Sequence, residues 1–385
     1  MIKRQLQKKC VEFSRHYPVV TITGPRQSGK TTLARACFPK MPYVNLEEPD
    51  KRKFAIDDPR GFLSNYPDGA ILDEIQRTPD IPSYLQSIVD SSAKKGLFIL
   101  TGSQQFEISH SVSQSLAGRT ALIKLLPFNL IELQRSGKLP PLDKLLLQGF
   151  YPRIYNERLE PHPFYMNYFE TYVQRDLRQL SQIDNLHIFD KFVRLLAARA
   201  GQLLNYNSLA NDVGVSQPTI RKWISLLEAS YIVFILPPFF RNIGKRLIKT
   251  PKVYFYDVGL AAYLLEIENS KQLKTHPLRG NLFENFIIME FLKARFNIAK
   301  TSNLYFYRDR TGNEIDLVLQ EALSLTPVEV KSAKTLHLEF SRSLTSFKKI
   351  FGPEIKKSYV IYGGEEKHTQ KGITFLPWKE LIHLL

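Results

Sequence analysis

Cysteine is nearly absent from this 385-residue sequence, where Cys10 and Cys37 are the only two. Two thiols are too few for a disulfide framework or a zinc cluster, and they suit a reducing compartment. An apolar leader is missing too: the opening residues, MIKRQLQKKC, lack the hydrophobic core of a secretory signal. The longest greasy run, residues 231–236, stops at Pro237-Pro238 and falls far short of a membrane span. Ile2, Leu6, Cys10 and Phe13 make a weak stripe at helical spacing, read as a leading helix packed beside the first strand rather than lying on a membrane. These absences predict a cytoplasmic protein with no membrane partner. Acidic residues are also in deficit, with 37 Asp and Glu against 53 Lys and Arg, a formal charge of +16. The excess runs through the whole body of the chain, which points to a polyanionic partner, most simply nucleic acid.

What is present is organised around residues 19–33, VVTITGPRQSGKTTL. A β-branched run enters Gly24-Pro25-Arg26-Gln27-Ser28-Gly29-Lys30-Thr31, a complete G-x-x-x-x-G-K-[ST], and Thr32 opens a helical stretch that ends before Pro39. Strand, glycine loop and helix start together predict a phosphate cradle of backbone N–H groups, reinforced by the helix dipole. Lys30 would supply a charge to the β- and γ-phosphates of ATP, and Thr31 a ligand for Mg²⁺. Residues 70–74, Ala-Ile-Leu-Asp-Glu, are a short apolar strand ending in two carboxylates. Asp73 would hold the Mg²⁺ shell and Glu74 would polarise the attacking water. A further buried strand, residues 96–100, runs into Thr101, Gly102, Ser103 and Gln104. Thr101 and Ser103 either touch the γ-phosphate or its water, or simply cap the strand. Arg119 either neutralises transition-state charge, in its own site or a neighbour's, or forms a structural salt bridge.

These motifs, GPRQSGKTTL, ILDEIQR, LTGSQ and SLAGR followed by LLPF, resemble a family of prokaryotic AAA-type P-loop ATPases with a poorly characterised C-terminal domain. The resemblance covers nearly the whole chain. It implies an ATPase core with Gln76 and Arg77 just past the acidic pair, and leaves a homo-oligomer open.

Past residue 149 the pattern turns helical. Tyr165, Tyr168, Phe169, Tyr172, Val173 and Leu177 recur at helical spacing over 165–180, an aromatic stripe read as core rather than a base-stacking platform. The pair Arg175-Asp176 lies within it; the family resemblance keeps this pair, which suggests a contact between subunits. Residues 207–213 form one short helix, Gly214 a turn, and Ser216 caps a second helix burying Ile220, Trp223, Ile224 and Leu227. A strand at 232–236 and a basic segment with Arg241, Lys245, Arg246, Lys249 and Lys252 follow. Helix, turn, helix and hairpin describe a winged helix, offering Gln217, Thr219, Arg221 and Lys222 either to DNA or to nothing beyond packing.

The last third carries a helix from residue 280, strands at 304–308, 314–319 and 326–330, then a strand at 359–362 and a closing helix at 378–384. Glu284 sits on the helix, Asp316 mid-strand, and Glu329 and Lys331 two apart on the next strand, hence on one face. Paired carboxylates with a lysine suit a divalent metal, Mg²⁺ or Mn²⁺, and a nucleophilic water. EIDLVL followed by PVEVKS resembles the PD-(D/E)xK, restriction-endonuclease-like superfamily, which includes active nucleases and inactive binding scaffolds. The expected architecture is α/β: a P-loop AAA-type ATPase domain (1–148), a helical lid region (149–200), a winged helix (201–256) and a restriction-endonuclease-like α/β domain (257–385). The expected function is an Mg²⁺-dependent ATPase coupled to DNA binding and metal-dependent cleavage, or a non-nucleolytic switch whose C-terminal domains only bind.

Overall fold

The computed structural model describes residues 2–103, 115–176, 185–240 and 249–385. Of the positions singled out above, Gln104, Leu177, Arg241, Lys245 and Arg246 lie outside these residues, as do the side chains of Arg175 and Asp176.

Five parallel strands make the N-terminal sheet: β1 (Val19–Thr23), β2 (Tyr43–Asn45), β3 (Ala70–Asp73), β4 (Phe98–Gly102) and β5 (Thr120–Lys124), in the order β2-β3-β4-β1-β5. Strands buried on both faces read as continuous apolar runs, as β1, β3 and β4 do. Val20, Ile22, Ile71 and Ile99 pack with Leu6, Cys10 and Leu33 of the helices around Gln7–Ser14 and Lys30–Cys37. Leu72, Phe98 and Leu100 face Phe62, Ile81, Leu85 and Val89 on the other side. The leading helix therefore packs on the sheet, as its stripe predicted. Parallel strands bring their carboxyl ends to one edge, and there β1 enters the phosphate loop, β3 ends in Asp73, and β4 carries Thr101.

The aromatic stripe is core: Tyr165, Tyr168, Phe169, Tyr172 and Val173 are all buried. Its winding differs from the expected single α-helix. Pro161–Tyr168 is α-helical, and Phe169–Asp176 opens to the wider i→i+5 pattern. Apolar spacing over two turns does not distinguish 3.6 residues per turn from a wider winding, so the sequence could not give the change.

Helices Leu186–Ala197, Tyr206–Val213 and Gln217–Ala229 follow, then the antiparallel hairpin of β6 (Val233–Leu236) and β7 (Lys252–Phe255). Asn205 and Ser216 cap their helices through side-chain oxygens, and Gly214 takes φ +88° between them. Trp223 packs edge-on to Phe189 at 5.3 Å.

The C-terminal part is a six-stranded mixed sheet of β8 (Leu304–Arg308), β9 (Glu314–Glu321), β10 (Ser324–Lys331), β11 (Ser358–Tyr362), β12 (His368–Gln370) and β13 (Ile373–Pro377), ordered β12-β13-β11-β10-β9-β8. β8, β9 and β10 are antiparallel, whereas β10, β11 and β13 run parallel. Helix Arg279–Asn297 covers one face, joining it to a core continuous with the middle helices. Leu344, Phe347 and Phe351 cover the other. The closing segment Trp378–His383 is a 3₁₀-helix rather than an α-helix.

Candidate functional site

The phosphate loop is shaped by backbone crowding. Gly24 has φ +151°, and a Cβ there would lie 2.0 Å from the Leu125 carbonyl oxygen. Gly29 takes φ +91° at the start of helix Lys30–Cys37. Lys30 is buried, its ammonium donating to the carbonyls of Gly24 (3.1 Å) and Pro25 (2.9 Å). Burial pushes the Lys30 pKa down, against the pull of Glu74 and Asp73. The side-chain oxygens Ser28 Oγ, Gln27 Oε1 and Gln76 Oε1 are buried without a hydrogen-bond partner. Such atoms are rare in folded proteins, and these three belong to the phosphate loop and to the turn just past the acidic pair. Arg26 is partly exposed, 3.5 Å from Glu47 and over the Tyr172 ring. Thr32 lines a cavity of about 200 Å³ with Gly29, Leu33, Ala36, Gln7, Phe128, Pro152 and Asn156.

Asp73 is gripped by three hydroxyls. Thr31 Oγ1 donates to Oδ2 at 2.8 Å, Tyr43 to the same oxygen at 2.7 Å, and Thr101 to Oδ1. Thr101 is thus an Asp73 partner, not a bare strand cap. Glu74 adopts the left-handed region (φ +57°), uncommon for a residue with a side chain. Its carboxylate accepts from Gln76 Nε2 and, at 3.4 Å, from Ser103 Oγ, and Gln76 also bonds Ser103 at 3.3 Å. Burial raises the Glu74 pKa, with Lys30 opposing.

Arg119 stands apart from this cluster. Residue Thr120 pairs with Val19 at the start of β1, so Arg119 lies at the amino edge of the sheet. Roughly 13 Å of strand separates that edge from the phosphate loop. Its guanidinium makes a two-pronged ion pair with Asp90. The expectation that Arg119 serves its own site is corrected by strand register; the salt-bridge alternative is the one observed.

Two residues of this site escaped sequence reasoning. Tyr43 comes from β2, where a tyrosine reads as ordinary strand composition. Arg4 donates to the Ser28 carbonyl (2.8 Å) and to Leu126 O, and pairs with buried Glu132 at 3.1 Å. A phosphate loop's need for support was the only available signal, and it does not say where the support comes from.

The C-terminal candidates do come together. Lys331 Nζ lies 2.7 Å from Glu329 Oε2 and 3.5 Å from Asp316 Oδ2, and the Val330 N–H donates to Asp316 at 2.8 Å. Glu284 Oε1 accepts from Tyr254 (2.6 Å) and Lys252 (3.2 Å), and burial pushes its carboxyl up to about 7. Among the described residues, no three His, Cys, Asp or Glu side chains are gathered to hold a metal ion. Lys252, grouped above with a basic segment, is 2% exposed and faces these carboxylates. On helix Gln217–Ala229, Arg221 and Lys222 are exposed, Arg221 lying over the Tyr206 ring, and Thr219 bonds the cap residue Ser216.

Comparison with known proteins divides the chain in three. Residues 16–134 match an AAA domain, 140–271 a domain of unknown function (DUF8612), and 279–381 another (DUF4143). The uncharacterized protein Rv2008c of Mycobacterium tuberculosis is 32% identical over 353 residues, 91% of this chain and 77% of that protein. The uncharacterized protein MJ1637 of Methanocaldococcus jannaschii is 22% identical over 60% of this chain and 46% of that protein. The Walker-type ATPase PABY2304 of Pyrococcus abyssi is similar with a TM-score of 0.43 and 15% identity, over 69% of this chain and 96% of that one. The N-terminal part is an AAA-type P-loop domain, of the class that binds ATP with Mg²⁺.

Proposed function

We propose that this chain, which belongs to the family of the mycobacterial protein Rv2008c, is an Mg²⁺-dependent ATPase that acts on nucleic acid. The observation that carries the ATPase reading is the convergence of Lys30, Thr31, Asp73 and Glu74 at one sheet edge, among buried oxygens lacking partners. The loop N–H groups from Gly24 to Thr32 and the Lys30 ammonium would hold the phosphates. Thr31 and Asp73 would hold Mg²⁺, whose chemistry is to neutralise charge on the β- and γ-phosphates. Glu74 would accept the proton of the attacking water, with Gln76 and Ser103 fixing its carboxylate and Thr101 and Tyr43 fixing Asp73. The cavity beside Gly29 and Thr32, with Phe128 and Pro152 as apolar walls and Gln7 and Asn156 as polar ones, suits the adenine base. Arg119 retains a role only in a neighbouring subunit's site, within a homo-oligomer.

The partner is read as DNA from the +16 charge and from Arg221 and Lys222 exposed on helix Gln217–Ala229, whose turn and following hairpin fit a winged helix over 201–256. The domain reading of 1–148, 149–200, 201–256 and 257–385 goes with it. Glu284, Asp316 and Glu329 would hold a second Mg²⁺ or Mn²⁺, with Lys331 beside the nucleophilic water. Buried Glu329 Oε1, without a partner, fits such a ligand. The second reading, a non-cleaving switch, is favoured by one observation: the Glu284 oxygen a metal ion would take already has two donors, Lys252 and Tyr254.

The test is ATP hydrolysis with and without DNA at low and high salt, in the wild type and in Lys30→Ala and Glu74→Gln. Stimulation that falls steeply with salt is expected, since phosphate contacts release counterions. Unchanged phosphate release in both variants would end the ATPase reading. Plasmid cleavage with Mn²⁺ that persists in Asp316→Ala would end the nuclease reading.

A further inference from the structure

The C-terminal carboxylates have a neighbour from outside their own segment. Lys252 opens β7, within the stretch matched by the middle domain, yet its side chain reaches the C-terminal sheet. Its ammonium lies 2.6 Å from Glu314 Oε1 and 3.2 Å from Glu284 Oε1, and the Phe306 ring is 5.6 Å away. Tyr254, two residues on and therefore on the same strand face, donates to that same Glu284 oxygen. A buried ammonium persists only where it is paired, so Lys252 and its acids hold one another in place.

The acids lie near enough to feel one another's charge but differ in the donors that hold them. Asp316 and Glu329 gather on Lys331, while Glu284 is held by β7. Glu329 Oε1 remains buried without a hydrogen-bond donor, so the cluster has an acceptor to spare.

We infer that Lys252 is a tethered cation that engages Glu284 in place of a divalent metal ion, so the β6–β7 hairpin holds the C-terminal cluster in a metal-free arrangement. The inference rests on the reading of Glu284, Asp316 and Glu329 as metal ligands. The ammonium and a metal ion compete for the same Glu284 oxygen, and their repulsion weakens metal binding further. Without the Lys252 ammonium, the Glu284 oxygen would be free to take a metal ion beside Asp316. Lys252 is in this sense a positioning residue.

The test is a Mn²⁺ titration followed by electron paramagnetic resonance on the nucleotide-free full chain, in an Asp73→Asn background that silences the N-terminal site. Lys252→Gln is expected to raise Mn²⁺ affinity by about tenfold or more, the scale of a removed neighbouring charge. Lys252→Arg, which keeps the charge, should leave affinity at the parent's level. Adding Glu329→Gln to Lys252→Gln should abolish the gain. Tyr254→Phe removes the second donor to Glu284 and should raise affinity by a smaller factor, deciding the matter if Lys252→Gln fails to fold. Equal affinity in parent, Lys252→Gln and Tyr254→Phe, still lost with Glu329→Gln, overturns the tether and leaves the metal site standing. No Mn²⁺ binding by any variant overturns both.

Discussion

Replacing Arg4 should loosen the phosphate loop from behind. The guanidinium sits over Phe128 and ties three segments together: Ser28 O in the loop, Leu126 O beyond β5, and the buried carboxylate of Glu132. Arg4→Met keeps much of the apolar contact and deletes the charge. Removing one partner of a buried ion pair costs about 3–5 kcal/mol, because the other charge is left uncompensated. Glu132 would keep two backbone donors, Gln5 N at 2.7 Å and Asn129 N at 3.2 Å. The low end therefore applies, about 3 kcal/mol, or roughly a 150-fold increase in the opening equilibrium.

Hydrogen-exchange mass spectrometry is the suitable assay, because both tryptophans, Trp223 and Trp378, lie outside the N-terminal sheet and would not report on it. Peptides spanning β1 and helix Lys30–Cys37 should lose protection by about that factor in Arg4→Met. Binding of a fluorescent ATP analogue should weaken in parallel, since Ser28 loses its anchor. The double variant Arg4→Met/Glu132→Gln removes the orphaned charge while retaining an acceptor, and should recover more than about 1 kcal/mol of the loss. A single-variant effect under about fivefold, or a double variant no better than Arg4→Met, would refute the ion-pair argument.

Three other outcomes follow from the geometry. Gly24→Ala should abolish nucleotide binding while the rest of the chain stays folded by circular dichroism, because its Cβ meets Leu125 O at 2.0 Å; unchanged affinity would contradict the crowding. Arg119→Ala should leave ATP turnover unchanged at dilutions where the chain is monomeric, with any loss confined to assembled protein; a loss in the monomer would contradict the strand register. Asp309 is pulled up by burial but held below its ordinary range by donors from Thr311 and Asn313. Its stabilising contribution is full above the ordinary carboxylate pKa and fades as pH falls through the lower folded value. Exchange in the β8–β9 hairpin should therefore rise on acidification, and Asp309→Asn should flatten that dependence.

Local motifs were legible in the sequence, and long-range side-chain arrivals were not. The loop from Gly24 to Thr31 carries its own backbone logic, and Asp73 and Glu74 follow from a strand whose carboxyl end must share its edge. Arg4, Tyr43 and Lys252 reach their sites from 24, 30 and 32 residues away from their partners, and nothing in their local pattern marks them. Arg119 illustrates the opposite hazard. Its place after a glycine suggested a catalytic role, but the end of a parallel strand at which a residue sits is decided by register, which sequence spacing leaves open. The middle helices were recoverable because Ser216, Gly214 and the Ile220–Trp223–Ile224–Leu227 stripe agree with one another, whereas the i→i+5 winding at Phe169–Asp176 leaves no such local mark.

The charge argument gains from the burial pattern. Several cations counted in the +16 are interior: Arg4, Lys252 and Lys293 are each buried or nearly so. Their partners Glu132 and Glu290 are fully buried and Glu284 is half-buried, so these pairs cancel one another within the fold. What cancels in the interior cannot reduce the surface excess. The unbalanced positive charge therefore belongs to the solvent-facing shell, where it can meet a polyanion and where added salt would screen it. A basic protein whose excess cations were buried would bind nucleic acid no better than a neutral one. Among the described residues, the buried lysines Lys30, Lys252 and Lys293 are outnumbered by the buried carboxylates Asp73, Glu132, Asp257, Glu290, Asp309, Asp316 and Glu329, so the interior takes up none of the positive excess, and the salt dependence of DNA-stimulated hydrolysis is the measurement that follows from it.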